Sequence, residues 1–260
     1  MYPALSLIAA LVVADGQAAT VKPQGFSETK PAMVERSAHA AERPALTPEM
    51  RGDIYMARKM FREAIDMYRQ MPADSAVAWN KIGIAHHQML DLTSARKAYE
   101  QALKLERNYA EAINNLGTIY YSLKNYRKAI TYYRRALKIN PRSASVLSNL
   151  GTAYFARKRY DEAFEAYQQA LALDPEVFEH RNSAGVLLQE RSVEERAKFH
   201  FYLAKTYARA GSLDRALLYL RKALEEGFKE RAKLTEEPEF AALRELPEFQ
   251  DLLKYQPKVL

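Results

Sequence analysis

The 260-residue sequence has no cysteine, one tryptophan and only nine glycines. The absence of cysteine excludes disulfides, thiolate metal sites and cysteine nucleophiles. The low glycine content argues against a function built on glycine-rich loops that bind phosphate. Because it contains a single long apolar run, the chain is not a membrane protein with several spans. What the sequence has in excess is tyrosine, with 17 residues, and positive charge, with a net charge of +7.

The long apolar run lies near the N-terminus, over residues 3–14. It is shorter than the roughly 20 residues that a membrane-spanning helix needs, and it has the length of the apolar core of a secretory signal. Gly16 and Ala18 have the small side chains that a cleavage site requires. Since no Lys or Arg precedes the run, a disordered apolar tail is the alternative. We predict a signal peptide over residues 1–19 and export to the periplasm or cell envelope; without a signal the protein would be cytoplasmic.

Residues 20–44 have a different composition, with Pro23, Gly25, Pro31 and Pro44 among polar and charged residues. No helical or strand periodicity is present in this segment. The composition predicts a flexible linker between the signal and the remainder of the chain.

From residue 45 onwards the sequence repeats itself at intervals of 34 residues. Leu-Gly-Thr-Ile-Tyr at 116–120 corresponds to Leu-Gly-Thr-Ala-Tyr at 150–154. Related copies precede and follow these two, so that five copies share one register, although the first and last intervals differ in length. A fixed period of this size is the signature of a repeat architecture.

Each copy has two blocks of small and apolar residues at helical spacing, separated by a turn. The pattern predicts two helices per copy, with Gly117 and Ala129 small because the helices approach closely there. Tyr120 and Tyr133 fill the space on either side, so most tyrosines are predicted to be packing residues rather than site residues. One helix pair cannot bury its apolar faces alone, and neighbouring pairs must therefore stack.

Taken together, the second and third copies show, in the order of their positions, tryptophan, leucine–glycine, tyrosine, alanine, tyrosine, alanine and proline. These residues are Trp79, Leu116, Gly117, Tyr120, Ala129, Tyr133, Ala136 and Pro141. In this order and spacing the sequence resembles the tetratricopeptide repeat family. The resemblance implies an all-α fold, a right-handed superhelical solenoid of helix-turn-helix repeats that binds peptides or partner helices in a concave groove. It therefore implies a protein–protein interaction scaffold.

The resemblance also implies a division of the chain after the linker. The segments are four repeats over residues 45–177, an insertion over 178–192, a fifth repeat over 193–227 and a C-terminal cap over 228–260.

Several local signals refine this division. The first repeat is shortened around Pro72, so its second helix should end early. Ser192 and Glu195 form a Ser-x-x-Glu capping box ahead of the fifth repeat. Pro238 and Pro247 are each predicted to begin a short helix in a segment that covers the open end of the solenoid.

The first helix of each repeat carries a polar and aromatic stripe beside its packing stripe. We number positions by alignment with the third repeat, in which Ala110 is position 1. By resemblance, positions 2, 5, 9 and 12, with position 6 beside them, face the concave groove. Asparagine there can donate to and accept from a peptide backbone, and exposed aromatic residues favour binding; packing between repeats is the alternative role of the asparagines. The candidate groove residues are Asn80, Lys81, Asn114, Asn115, Tyr121, Asn149 and Phe155.

The carboxylate clamp of this family, which holds the C-termini of chaperones, needs lysine, asparagine and arginine at set positions of three consecutive repeats. In the repeats that begin at Ala76, Ala110 and Ala144, only Asn115 fits this pattern. The protein or peptide partner is therefore predicted to belong to another class.

A block of basic residues without any acidic residue extends from residue 112 to 160. Helical spacing places most of them on the second helices and at the turns, away from the groove. An outer basic patch would attract an acidic partner, nucleic acid or an anionic membrane surface. A solvated face without a partner is the alternative, and no nucleic-acid reader motif is present. The patch residues are Lys124, Arg127, Lys128, Arg134, Arg135, Arg157, Lys158 and Arg159.

The sequence offers little for catalysis. Its five histidines lack metal-ligand spacing, and His86 and His87, adjacent on a helix, point about 100° apart. It contains no nucleophile elbow and no phosphate-binding loop. We predict a protein with no cofactor, no bound metal and no enzymatic activity; an accessory repeat subunit of an enzyme acting in trans is a further alternative.

Overall fold

A computed structural model describes residues 45–179 and 192–255. In these two ranges the regular secondary structure is helical and contains no strand. The predictions for residues 1–19 and 20–44, and most of the 178–192 insertion, lie outside the described residues. Across the described ranges, no helix combines the length and the apolar character needed to cross a membrane.

The helices of the described residues follow one another in pairs joined by short turns. The first four pairs are α1 (Pro48–Ala57) with α2 (Phe61–Tyr68), α3 (Ala76–Gln88) with α4 (Leu92–Leu105), α5 (Ala110–Ser122) with α6 (Tyr126–Ile139), and α7 (Ala144–Ala156) with α8 (Tyr160–Leu173). The fifth pair is α9 (Val193–Arg209) with α10 (Leu213–Glu225), followed by α11 (Lys233–Glu236), a 3-10 helix (Pro238–Leu243) and α12 (Pro247–Lys254). Each pair packs on the next, which confirms the predicted all-α solenoid.

The two helices of a pair meet where a glycine of the first helix faces a tyrosine ring of the second. A Cβ atom built on Gly117 would lie 2.6 Å from the ring of Tyr133, and the same relation holds in the other three of the first four pairs. The fifth pair has Ala204 and Leu220 at these two positions, and both are fully buried. Ala204 has a methyl group where the other pairs have glycine, and Leu220 is smaller than the tyrosine that it replaces.

The turn inside each pair uses one residue in the left-handed backbone region. Lys59, Leu90, Lys124 and Lys158 have φ values of 58–61°, and Gly211 has a φ of 79° at the equivalent place in the fifth pair. A residue in this conformation ends a helix and reverses the chain. The five pairs therefore reverse the chain at the same place and in the same way.

The first pair and the fifth pair show the predicted local features. Helix α2 has 8 residues, whereas α4, α6 and α8 each have 14. The hydroxyl oxygen of Ser192 accepts a hydrogen bond from the backbone N–H of Glu195 at 3.2 Å, as an N-terminal cap of α9. Pro238 and Pro247 each occupy the first position of a short helix.

The segment after α10 covers the exposed side of the fifth pair. Phe228 stacks on Phe201 of α9 with ring centroids 4.4 Å apart, and Phe240 is fully buried against the same ring. The ammonium group of Lys205 pairs with Glu237 at 2.6 Å. Phe201 is position 5 of α9, and at this position Asn80 and Asn114 contact the next repeat. The C-terminal cap therefore takes the place of a sixth repeat.

Candidate functional site

The most distinctive polar feature in the described residues is a continuous chain of four asparagine side chains on α3, α5 and α7. Asn149 donates from Nδ2 to Oδ1 of Asn114 at 3.1 Å, and Asn114 donates to Oδ1 of its neighbour Asn115 at 3.4 Å. Asn115 donates in turn to Oδ1 of Asn80 at 2.9 Å. We call these four residues the asparagine ladder. It links the second, third and fourth repeats through side chains alone.

The ladder ends at a tyrosine and a carboxylate at the junction of the second and third repeats. Asn80 donates to the hydroxyl of Tyr109 at 3.4 Å and to Oε2 of Glu111 at 3.5 Å. The Tyr109 hydroxyl also donates to Glu111 at 3.1 Å. Burial, together with the charge of Glu111, raises the pKa of Tyr109 to about 12, so the phenol remains a donor at neutral pH. Every hydrogen bond of the asparagine ladder is thus donated in the direction of the Glu111 carboxylate. Hydrogen bonds that are aligned in this way strengthen one another.

Lys81 makes the corresponding contact between the first and second repeats. Its ammonium group lies 2.6 Å from Asp53 and 2.9 Å from Glu49, both on α1. Lys81 and Asn115 both occupy position 6, and each contacts position 5 of the preceding repeat. Lys81 therefore joins the first and second repeats by ion pairs.

The four residues of the asparagine ladder differ in solvent exposure. Asn80 is 2% exposed, whereas Asn114, Asn115 and Asn149 are half-buried. A side-chain amide has two N–H donors and two acceptor lone pairs. Each bond of the ladder uses one of them, so the three half-buried amides retain hydrogen-bonding capacity on their solvent side. Asn80 is too deeply buried to bind a partner directly.

The two aromatic groove candidates are buried, and the prediction that they are exposed is wrong. Tyr121 is 8% exposed and Phe155 is 3% exposed. Tyr126 and Tyr160, the first residues of α6 and α8, lie over them with ring centroids 5.2 Å away in both cases. The tight turn between the helices forces this contact. Tyr126 and Tyr160 are 34 residues apart, as Tyr121 and Phe155 are, and this repeated aromatic pair was the signal in the sequence.

The predicted basic patch divides into residues at the turns and residues with local partners. Lys124, Arg127 and Arg157 border a shallow hollow of about 400 Å³ together with Leu123, so the turns of the third and fourth pairs lie side by side. Lys158 lies in the second of these turns and is exposed. These side chains form a positively charged edge.

The remaining patch residues contact neighbouring groups or lie farther along α6. The Lys128 ammonium group lies over the ring of Tyr120, 4.0 Å from its centroid. Arg159 pairs with Glu162, and Arg135 donates to the backbone oxygen of Arg107. Arg134 lies exposed on α6, away from the turns. The eight residues therefore do not form one uniform surface.

The two adjacent histidines of α3 are half-buried. The Nδ1 atom of His86 lies 3.4 Å from Oδ2 of Asp91, at the start of the next helix. Burial lowers the pKa of His87. Among the described residues, no cluster of three or more histidine, aspartate or glutamate side chains is placed to hold a metal ion.

The lowered pKa of His87 predicts a loss of stability in mild acid. The unfolded chain binds a proton at this histidine near pH 6.5, whereas the folded chain binds it only at lower pH, so acid favours unfolding. The stabilising contribution is present above about pH 6.5 and is lost as the pH falls. We expect the melting temperature to fall less between pH 7.5 and 5.5 in His87→Gln than in the unaltered protein. Equal falls in the two proteins would show that His87 does not contribute.

Two family models agree with the fold. One tetratricopeptide repeat family model matches residues 74–142 and 109–176, and a second matches residues 183–229. No curated protein matches the chain. Among solved structures, MamA from Desulfovibrio magneticus RS-1 is 22% identical, with 70% of this chain and 92% of that chain covered and a TM-score of 0.47.

A second solved structure, YrrB, is described as a tetratricopeptide repeat protein with an unusual peptide-binding site. It is 19% identical, with 71% of this chain and 87% of that chain covered and a TM-score of 0.44. A TM-score this low does not justify assigning the peptide-binding site of YrrB to this chain. The family models, in contrast, together match more than half of the 260 residues. The chain therefore belongs to the tetratricopeptide repeat family.

Proposed function

We propose that this protein is a non-catalytic interaction scaffold that binds an extended peptide segment of a partner protein along the asparagine ladder. The observation that carries the proposal is the hydrogen-bonding capacity of Asn114, Asn115 and Asn149 on their solvent side. An extended peptide presents backbone N–H and C=O groups at regular intervals, and side-chain amides match both kinds of group.

The ladder is also held in place before any partner arrives. Asn115 and Asn149 are each fixed by a hydrogen bond to the preceding repeat, at 2.9 and 3.1 Å. Binding then costs little side-chain entropy, since these rotamers are already set. The inter-repeat role of the asparagines and a role in binding therefore support each other. The alternative functions, an electrostatic adaptor or an enzyme accessory subunit, remain predictions of the sequence.

A selection experiment with a defined probe tests this proposal. A random 12-residue peptide library displayed on phage would be panned on the full chain, and enriched peptides titrated by calorimetry. We expect Asn149→Ala to weaken their binding about tenfold, which corresponds to about 1.4 kcal/mol and to the loss of one or two hydrogen bonds. The matched control is Asn140→Ala, since Asn140 is exposed at the end of α6, and this variant should bind as the unaltered protein does.

A second measurement separates binding from folding. Asn149→Ala also removes the bond to Asn114, so the melting temperature of each variant is recorded without peptide. Weaker binding by a variant that is fully folded at the titration temperature supports the proposal. Enriched peptides that bind Asn149→Ala as tightly as the unaltered protein would place their site elsewhere.

A further inference from the structure

Glu111 is the carboxylate at which the hydrogen bonds of the asparagine ladder end, and only one of its two oxygens is used there. Asn80 and Tyr109 both donate to Oε2, at 3.5 and 3.1 Å. The other oxygen, Oε1, accepts no hydrogen bond from the described residues, and the residue is exposed. The carboxylate is therefore oriented by its neighbours and retains one oxygen with unused hydrogen-bonding capacity.

The negative charge of Glu111 has no ion-pair partner among the described residues, unlike the charges in two comparable contacts. Position 2 of the first helix is Glu111 in the third pair and Lys198 in the fifth. Lys198 pairs with Glu230 of the C-terminal cap at 2.8 Å, and Lys81 pairs with two carboxylates of α1. Towards both ends of the stack the chain thus compensates such a charge, whereas it leaves that of Glu111 uncompensated.

Glu111 lies on the same face of α5 as two residues of the asparagine ladder. Asn114 and Asn115 follow it by three and four residues, a spacing that places side chains next to one another on a helix. A peptide whose backbone bonds these half-buried amides therefore brings one of its own side chains beside Glu111. An uncompensated carboxylate at this place favours a positively charged side chain and disfavours a negatively charged one.

We propose that Glu111 determines which peptides bind along the asparagine ladder, by pairing through Oε1 with a lysine or arginine of the partner. This rests on the proposed function and adds the chemical class of the ligand, an extended segment with a basic residue. Because Asn80 and Tyr109 hold the other oxygen, the carboxylate is in position before the partner binds. The polarity is opposite to that of the carboxylate clamp, in which the scaffold supplies the positive charge.

Panning the library of random 12-residue peptides on two forms of the full chain tests the selection. On the unaltered chain, we expect most of the enriched peptides that depend on Asn149 to carry lysine or arginine at one fixed position of their alignment. On Glu111→Lys, we expect aspartate or glutamate at that position, because the charge of the site is reversed.

Calorimetry with one enriched peptide measures the ion pair directly. Glu111→Gln keeps an oxygen that accepts from Asn80 and Tyr109 and removes only the charge. We expect it to weaken binding about three- to fivefold, the upper part of the range for an exposed ion pair, and a methionine in place of the peptide's basic residue to weaken it equally. Both changes together should weaken binding no more than either change alone. The matched control Glu165→Gln removes the same charge at an exposed position of α8 and should leave binding unchanged.

The outcomes separate this proposal from the proposed function. A library that yields no enriched peptide, or peptides that bind Asn149→Ala as tightly as the unaltered chain, overturns both. Peptides that need Asn149 but have no basic residue at a fixed position, or that bind Glu111→Gln undiminished, overturn the role of Glu111 alone. An equal loss in Glu165→Gln also overturns it, since net charge would then explain the effect. Should Glu111→Lys fail to fold, the Glu111→Gln result decides the question.

Discussion

The substitution Gly117→Ala is expected to lower the free energy of unfolding by about 2–3 kcal/mol, the range of overpacking in a tight core. The added Cβ atom would lie 2.6 Å from the ring of Tyr133, well inside van der Waals contact. The ring is itself fully buried and cannot move away without displacing its neighbours. Equilibrium unfolding in guanidinium chloride, followed by circular dichroism, measures the change.

A second substitution should recover much of this loss, because the fifth repeat already contains the compensated pair Ala204 and Leu220. Tyr133→Leu alone removes ring contacts and the 3.3 Å hydrogen bond from the Tyr133 hydroxyl to Thr118, and should cost about 2–3 kcal/mol. In the double variant the methyl group added at position 117 occupies space that the ring has left. We therefore expect the double variant to be at least about 1 kcal/mol more stable than the sum of the single changes predicts.

A second cycle and a control variant make the result decisive. Gly151→Ala with Tyr167→Leu repeats it in the fourth repeat, where a Cβ on Gly151 would lie 2.5 Å from the Tyr167 ring. Ser145→Ala, at an exposed position of α7, should change stability by less than about 0.5 kcal/mol. Strict additivity of Gly117→Ala and Tyr133→Leu would contradict the glycine–tyrosine account of how the helices of a pair meet.

The sequence was sufficient to predict the helix pairs because the constraint acts inside one repeat. A residue that must be small and a residue that must be a ring recur together every 34 residues, as Gly117 and Tyr133 do. The positions where the pattern changes, such as Pro72 and Ser192, predicted a short helix and a helix start for the same reason. Each of these features depends on neighbours along the chain.

Contacts between repeats were harder to predict because they join unlike positions. Between repeats, the asparagine ladder pairs position 5 of one repeat with position 6 of the next, so these bonds join residues that are 35 apart instead of 34. Which positions meet depends on how far each repeat turns relative to its neighbour, and a single repeat does not encode this rotation locally. Phe155 shows the same difficulty, because Phe199 and Tyr202 of the next repeat also lie against its ring.

The second large effect is expected at the C-terminal cap. Phe240→Ala should lower the free energy of unfolding by about 3–5 kcal/mol, the usual cost of truncating a buried phenylalanine. Phe240 is fully buried, with its ring 5.6 Å from Phe201 and 6.5 Å from Phe249. In a stack of repeats each unit is stabilised by its neighbours. Loss of the cap should therefore loosen the fifth pair first and leave the second to fourth pairs folded.

Hydrogen exchange read by mass spectrometry locates the effect. Phe240→Ala should speed exchange in residues 193–255 by at least tenfold while exchange in residues 76–173 stays within a factor of two, because the energetic coupling falls with distance along the stack. The matched control is Phe61→Ala, since Phe61 is half-buried at the start of α2 in the first pair and lies far along the chain from the cap. That variant should leave residues 193–255 unchanged. Faster exchange throughout the chain in Phe240→Ala would mean that the repeats unfold as one cooperative unit, and that the cap stabilises the whole stack and not the fifth pair alone.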